Sequence, residues 1–313
     1  MSAETLDSRE PSPFRTHDPR LEPIAAKVLA GERLDFTDGL ALYGSSDVLA
    51  VGWLANHVRE RMHGNVTYFN VNRHINPTNV CVAACKLCAF GRKKGDPAGY
   101  TMALEEAWET AASGYSEAVT EFHIVGGLHP DLPLEYFLDL VQGLKQRFPK
   151  VHIKAFTMVE VAYLARRAKL TIEETLVKLR ALQDETGGFQ TFIPLAFHPE
   201  NTPLDHLPVT TGLTDIRQIA VSRLLLDNFP HIKAYWQMLT PKIAQIALRF
   251  GADDLDGTVV EEKIYHDAGA TTPQGMTRKE LCRLITEAGR IPVERDTLYK
   301  AVTRTEDSFT VAV

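Results

Sequence analysis

Apolar residues recur at three- and four-residue spacings through "RLEPIAAKVLAGERL" and "TDGLALYGSSDVLAVGWLANHVRERMHG", so residues 21–63 read as a helical preface punctuated by glycine. After Gly64 the pattern shifts to short runs rich in β-branched and aromatic residues. These are "VTYFNVN" (66–72), "AVTEFHIVG" (118–126), "VHIKAFT" (151–157), "GFQTFIPLAF" (188–197), "HIKAYWQML" (231–239) and "GADDLDGTVV" (251–260), each read as a strand. Helical patterns lie between them: "TMALEEAWETAASG", "PLEYFLDLVQGLKQRF", "TIEETLVKLRALQDETGG", "LTDIRQIAVSRLLLDNF" and "TPKIAQIALRFG". Thr171 followed by Glu174 has the pattern of a capping box, and Gly187 and Gly188 end that helix. Strands alternating with helices of about ten or more residues imply parallel βαβ units and an α/β fold. The expected layout is a tail with helices over 1–63, an α/β core over 64–270, and a closing helix with a tail over 271–313. Six strand–helix units are visible, whereas a closed (β/α) barrel has eight in about 250 residues.

Composition narrows the function classes. The 313 residues suffice for a large core, and 44% hydrophobic with 24% charged residues is ordinary for a globular chain. A net charge of −6 and a pI near 6.0 provide no basic field for nucleic acid. The one local basic run, "GRKKGD" with Arg92, Lys93 and Lys94, is either a solvated loop or an anion contact. No segment approaches the roughly 18 apolar residues of a membrane span. The polar start, "MSAETLDSREPSPFRTHDPR", has no apolar signal-peptide core. The expectation is a cytoplasmic protein without a membrane partner, in which clustered cysteines serve metal or redox chemistry.

Three of the four cysteines stand in one loop, "NPTNVCVAACKLCAF", as Cys81, Cys85 and Cys88, directly after the first strand. That is where a parallel α/β sheet presents its active-site loops. Four thiolates would saturate a structural zinc or an electron-transfer cluster; three leave a coordination position open. A zinc site completed by His74 or a remote histidine is one reading, and three unrelated core cysteines another. An iron–sulfur cluster with one open iron accounts best for thiols gathered in a loop rich in Lys and Asn. Cys282, beside Leu281, Leu284 and Ile285 on a helix, reads as core packing.

The C-x3-C-x2-C spacing, its place after the first strand and the following Ala89-Phe90 resemble the radical S-adenosylmethionine (SAM) enzymes. The resemblance implies a barrel-like parallel sheet and a 4Fe–4S cluster on Cys81, Cys85 and Cys88. It also implies that SAM binds at the open iron and yields a 5′-deoxyadenosyl radical on reduction, with a reductant such as flavodoxin or ferredoxin as partner. Phe90 and the turn "GGLHP" (Gly126, Gly127, Leu128, His129) take the place of SAM-binding elements. The two glycines allow close backbone approach to a ligand, though an ordinary strand-end turn looks the same.

Further segments resemble the aminodeoxyfutalosine synthase family: "YFNVNRHINPTNVC", "EFHIVGGLHPDLP", "HIKAFTMVE", "FIPLAFHPENTPL", "IKAYWQML" and "GADDLDGTVVEEKIYHDAGA". The resemblance implies a transferase of menaquinone biosynthesis that adds the 5′-deoxyadenosyl radical to 3-(1-carboxyvinyloxy)benzoate with loss of CO2, giving aminodeoxyfutalosine. Dehypoxanthine-futalosine cyclase, an FO synthase-like enzyme, and an impaired cluster- or zinc-binding remnant are the alternatives. A substrate with two carboxylates calls for polar or cationic partners. Candidates are Arg73, His74, Asn76 and Asn79 after the first strand, and His198 with Asn201 after the fourth, each of which could equally serve a loop hydrogen bond. Lys154 is costly inside a strand unless paired, or lies outside under a helix. Asp253, Asp254 and Asp256 read as turn capping or ribose contacts rather than a metal site.

The chain departs from the family after Arg180, where Leu179 and Arg180 run directly into Ala181. The family has a strand, a helix and another strand at that point. The expectation is a parallel half-barrel of about six units, or a distorted closed one, that lacks contacts to the adenosine and part of the substrate cavity.

Overall fold

The computed structural model describes residues 13–312 except 84, 87, 114–118, 156, 158–159, 161–162, 164–189, 228, 260–262, 268, 270 and 305–308. The helical preface comprises α1 (Leu21–Ala30), α2 (Phe36–Gly44) and α3 (Val48–His63). Asp35 caps α2 in a capping box with Asp38, and the Asp47 side chain accepts the Ala50 N–H at the start of α3. The buried stripe Leu21, Ile24, Val28, Leu42, Val51 and Leu54 packs against Ala220, Val221 and Leu224 of α6 (Gly212–Leu225). The N-terminal helices thus share a core with a helix of the α/β region.

The first strand run splits in two. β1 (Val66–Asn70) lies in parallel between β7 (Asp254–Gly257) and β8 (Ile291–Glu294). β2 (Asn72–Ile75) continues the chain but pairs with β3 (Glu121–Ile124), which pairs with β4 (His152–Ala155). On the other side β5 (Thr191–Phe192) pairs with β6 (His231–Ile232), and a bridge between Lys233 and Asp254 joins β6 to β7. The result is an open parallel arc, β5-β6-β7-β1/β2-β3-β4, built from the six expected strand runs. Its edges are β4 and β5. Among the described residues no strand bridges them, and the join after Arg180 and the 171–188 helix lie outside those residues.

Two expectations need correction. Within 231–239 only two residues are strand, and Trp236–Leu239 form the short helix α7. A segment apolar on every side gives no period to separate strand from helix, and tertiary contact decides: Trp236 is fully buried and its Nε1 donates to Gly257 O at 2.8 Å. The C-terminal stretch is more than a helix and a tail. After α8 (Pro241–Ala247), α9 (Ile264–Asp267) and α10 (Arg278–Glu287), β8 joins the main sheet, and β9 (Val302–Arg304) forms an antiparallel pair with β10 (Phe309–Val311). β8 is four residues long and contains Pro292, which hides it from a propensity reading.

Helices α4 (Leu104–Ala112) and α5 (Leu134–Arg147) cover the outer face of β2–β4, burying Ala107, Ala111, Leu140 and Leu144 against Ile75 and Phe122. A second core joins Trp236, Leu239, Ala244, Leu255, Leu281 and Ile285, with Cys282 packed against it. No helix among the described residues is long and apolar enough to cross a membrane.

Gly143, inside α5, tests how closely α4 and α5 approach. Alanine in a helix interior normally gains about 1 kcal/mol over glycine. Here an added Cβ would lie 2.3 Å from the Trp108 ring. That ring is held by a 3.2 Å hydrogen bond from Nε1 to Leu140 O and by the Arg147 guanidinium 3.8 Å above it. Gly143→Ala is therefore expected to destabilise the fold by about 1–3 kcal/mol in urea unfolding. A stabilised variant would show that the ring yields freely.

Candidate active site

The parallel strands all end on one side of the arc, and the strands together with the loops that follow them line two cavities. The first, of about 300 Å³, is lined by Cys81, Cys85, Cys88, Ala89, Gly91, Arg92, Lys93, Asn201 and Pro203. All four cysteines of the chain are free, and Cys85 is exposed.

The cysteine loop is held by its own polar residues. Asn79 Nδ2 donates to Ala98 O at 3.0 Å, and its Oδ1 accepts from Tyr100 N at 2.7 Å. Cys81 N donates to Arg92 O at 2.7 Å and Arg92 N to Asn79 O at 2.8 Å. Phe90 is buried edge-on to Tyr100, whose hydroxyl donates to Asn76 O. Asn76, Asn79 and Phe90 thus act as scaffold for the loop. Two backbone N–H groups, from Ala83 and Gly91, each lie 3.4 Å from a cysteine sulfur, Cys81 Sγ and Cys88 Sγ respectively. Donors of this kind stabilise metal-bound thiolate. Among the described residues lining this cavity there is no histidine to complete a zinc site; His74 lines the other one. The donor set fits a three-thiolate cluster.

The glycine turn packs against this loop. A Cβ on Gly127 would meet Val80 O at 2.4 Å, and one on Gly126 would meet Thr78 O at 3.0 Å. Gly127 N donates to Thr78 O at 2.7 Å, and Gly126 N donates to Glu160 Oε1 at 2.9 Å. Both N–H groups are engaged within the protein, so neither of these two is available to a ligand. Glu160 also accepts from Thr157 N and Oγ1, at 2.8 and 2.6 Å, tying the loop after β4 to the turn. Burial raises its pKa. His129 Nδ1 accepts from Asp131 N and Leu132 N, both at 3.1 Å, and so shapes the end of the turn.

The second cavity, of about 280 Å³, lies inside the arc. One part of its wall is polar, with His74, His123, Lys154, Thr157 and Asp256; the rest is apolar, with Ile124, Val125, Ile193, Leu195, Tyr235 and Ile264. The sheet register explains the polar part: His74 stands opposite His123, and His123 opposite Lys154, in one row across β2, β3 and β4. His74 Nε2 and His123 Nδ1 are 3.2 Å apart, and the buried His74 Nδ1 has no hydrogen-bond partner. Desolvation pushes the His74 pKa down to about 4 and lowers that of His123 further than its ordinary range, so both rings are neutral at pH 7.

Strand alternation sends the remaining candidates elsewhere. Arg73 points away from His74, toward α4, where its guanidinium donates to Ser113 Oγ at 2.9 Å. Asn76 Nδ2 donates to Val125 O at 2.8 Å, and His198 Nε2 meets Met238 O at 3.0 Å. Asn201, with φ 57°, reaches the cysteine cavity. Lys154 faces inward, not under a helix.

The three aspartates are buried and belong to ion pairs. Asp253 binds the Arg223 guanidinium and lies 2.6 Å from His231 Nδ1; Asp254 pairs with Arg295 at 2.7 Å; Asp256 pairs with Lys233. Asp254 Oδ1 also accepts the Asp256 N–H at 2.5 Å, a local turn cap. Burial alone would raise the Asp256 pKa, yet Lys233 and Lys154 hold it well below the usual carboxylate range. A ribose contact is not how these carboxylates are used here.

Sequence reading overlooked His123, Lys233, Arg295 and Glu160. A signal for the first two was present. "TEFHIV" and "HIKAYW" place a polar residue at every second position of strands that a doubly covered sheet buries.

Residues 186–308 match the family described as the CofH/MqnC C-terminal region. The chain is 40% identical to the aminodeoxyfutalosine synthase of Thermus thermophilus over 359 aligned positions, covering 91% of this chain and 96% of that relative. It is 38% identical to that of Streptomyces coelicolor, covering 88% and 92%, and 28% identical to a cyclic dehypoxanthine futalosine synthase of Halalkalibacterium halodurans, covering 92% and 96%. The 359 positions exceed the 313 residues of this chain, so part of the Thermus relative has no counterpart here. Among solved structures, methylornithine synthase (PylB) superposes with a TM-score of 0.62 at 18% identity, covering 86% of this chain and 97% of that one. The FeFe-hydrogenase maturase HydG from Carboxydothermus hydrogenoformans gives 0.65 at 14%, covering 89% and 80%. These two likenesses are of fold.

Gly127→Ala is expected to displace the cysteine loop, because the atom it would strike is backbone. The readout is iron and sulfide bound after anaerobic reconstitution, with a pronounced loss expected and unchanged content refuting the packing argument. For His74, the folded pKa lies below the unfolded 6.5, so the unfolded chain takes up the proton first. The stability of the neutral form is complete above pH 6.5 and is lost as pH falls toward 4, by about 3 kcal/mol. His74→Gln should make the fall in urea midpoint over that window shallower.

Proposed function

The chain belongs to the aminodeoxyfutalosine synthase family of radical SAM enzymes, and from that membership we propose that it is a cytoplasmic transferase acting in menaquinone biosynthesis. In this reading it joins the 5′-deoxyadenosyl group of SAM to 3-(1-carboxyvinyloxy)benzoate with loss of CO2, and releases aminodeoxyfutalosine. The observation that carries the proposal is the convergence of Cys81, Cys85 and Cys88 on one cavity, in a sheet that also holds a mixed polar and apolar cavity.

Cys81, Cys85 and Cys88 would hold a 4Fe–4S cluster, which when bound and reduced supplies the electron that splits SAM. The protein's own residues do the rest. Arg92 and Lys93, at the cavity wall, offset the negative charge that three thiolates bring together. The Gly126–Gly127 turn, packed against the cysteine loop, would contribute backbone groups to SAM binding there. Asn201 and Pro203, from the loop after β5, also line the cysteine cavity. In the inner cavity, Ile193, Leu195, Tyr235 and Ile264 offer an apolar surface for an aromatic ring, while neutral His74 and His123 contribute hydrogen bonding without charge. Exposure of Cys85 leaves the cluster edge within reach of a reductant such as flavodoxin or ferredoxin. The cyclase reading is less supported, since the synthases match at 38–40% identity and the cyclase at 28%.

The test is product analysis by mass spectrometry with reduced, reconstituted protein, SAM and the enolpyruvyl benzoate. Aminodeoxyfutalosine is expected, and Cys85→Ala should abolish it. A cluster whose spectrum ignores SAM, with no product, would instead indicate a cluster-binding remnant. The same assay addresses the open arc. Inserting the Thermus relative's extra segment after Arg180 should raise turnover roughly tenfold or more, because loosely oriented reactants lose rate steeply. Equal turnover would show that the shortened sheet already positions both reactants.

A further inference from the structure

Among the described residues lining the inner cavity, Lys154 is a cation without an ion-pair partner. Its neighbours are paired: Lys233 binds Asp256 and Arg295 binds Asp254. Lys154 is half-buried and lines the cavity, yet among the described residues no carboxylate lies within ion-pairing distance of its Nζ. Glu121 and Asp256 act on it only from further away, and burial together with Lys233 works against its charge. An ammonium kept in such a place costs free energy unless an anion completes it.

We propose that Lys154 is the specificity-determining anchor for an aryl carboxylate, the ring carboxylate of the substrate. The inference rests on the reaction assigned above and adds the orientation of the substrate within it. Three features support it. Lys154 sits within β4, at the level of the strands, whereas the cysteines stand on the loop beyond the end of β2. The group it binds is therefore the end of the substrate remote from the reacting double bond. His123 stands directly beside Lys154 in the sheet register and lines the same cavity, so its imidazole can meet the second carboxylate oxygen. Ile193, Leu195 and Tyr235 complete the cavity with the apolar surface that an aromatic ring requires.

The experiment is calorimetric titration of the reconstituted, unreduced holoprotein, which binds without turning over, with 3-hydroxybenzoate and with 3-hydroxybenzamide. Wild-type protein should favour the carboxylate by about ten- to a hundredfold, the range for a charge-assisted hydrogen bond. Lys154→Met should lose that preference while binding the amide as before, and Lys154→Arg should keep part of it. Melting temperature and iron content of each variant report its folding. Equal wild-type affinity for acid and amide would overturn the proposal without reference to any variant, as would a Lys154→Met protein that still prefers the acid. Should the product assay fail while Lys154→Met abolishes carboxylate preference, the anchor stands and the assigned reaction falls.

Discussion

Everything at the centre of this fold depends on neutralising carboxylates that have been taken out of water. Asp253, just before β7, and Asp254 and Asp256 within it are each almost fully buried, and each is met by a cation from a different element. Arg223 comes from α6, Lys233 from just beyond β6, and Arg295 from just beyond β8. Unpaired, each charge would cost several kcal/mol. The pairs therefore specify which elements must lie beside β7, and the arc β6-β7-β1 with β8 follows from them. His231 and Asn72 add hydrogen bonds to Asp253 and Asp256, so that the remaining lone pairs are also used.

The same constraint accounts for the unusual backbone here. Asp256 takes φ 70°, a left-handed conformation that aspartate tolerates better than most residues. It turns its carboxylate to Lys233 and brings Gly257 to a place where a Cβ would lie 2.2 Å from Asn70 Oδ1. Only glycine fits that approach. Local strain is thus held in place by the ion pair and by the close contact of β7 with β1.

On that charged floor the loops build two cavities of different character. The cysteine loop is shaped by backbone hydrogen bonds and by the side chains of Asn79 and Thr78, and the glycine turn closes against it with no room for a side chain. The inner cavity takes its polar wall from three adjacent strands whose register aligns His74, His123 and Lys154. One cavity gathers three thiols; the other sets imidazoles and an ammonium against an apolar wall.

Much of this was legible in the chain alone. Periodicity located the N-terminal helical preface and the strand runs of the arc, because amphipathic burial leaves its period in the order of residues. The spacing of Cys81, Cys85 and Cys88 pointed to a three-thiolate site, and the count of six strand runs pointed to a shortened sheet, open or closed with distortion. The role of each polar residue was not legible, since a strand period says only that His74 and Arg73 face opposite ways. Whether Asn79 binds a substrate or a backbone carbonyl depends on what stands across from it. Pairing of Asp253, Asp254 and Asp256 with cations distant in sequence, the alignment of Lys154 with two histidines, and the conversion of 236–239 from strand to helix were all settled by tertiary contact. Local order carries the periods of burial; partner choice for a buried charge is a long-range property, and only the folded chain brings the partners together.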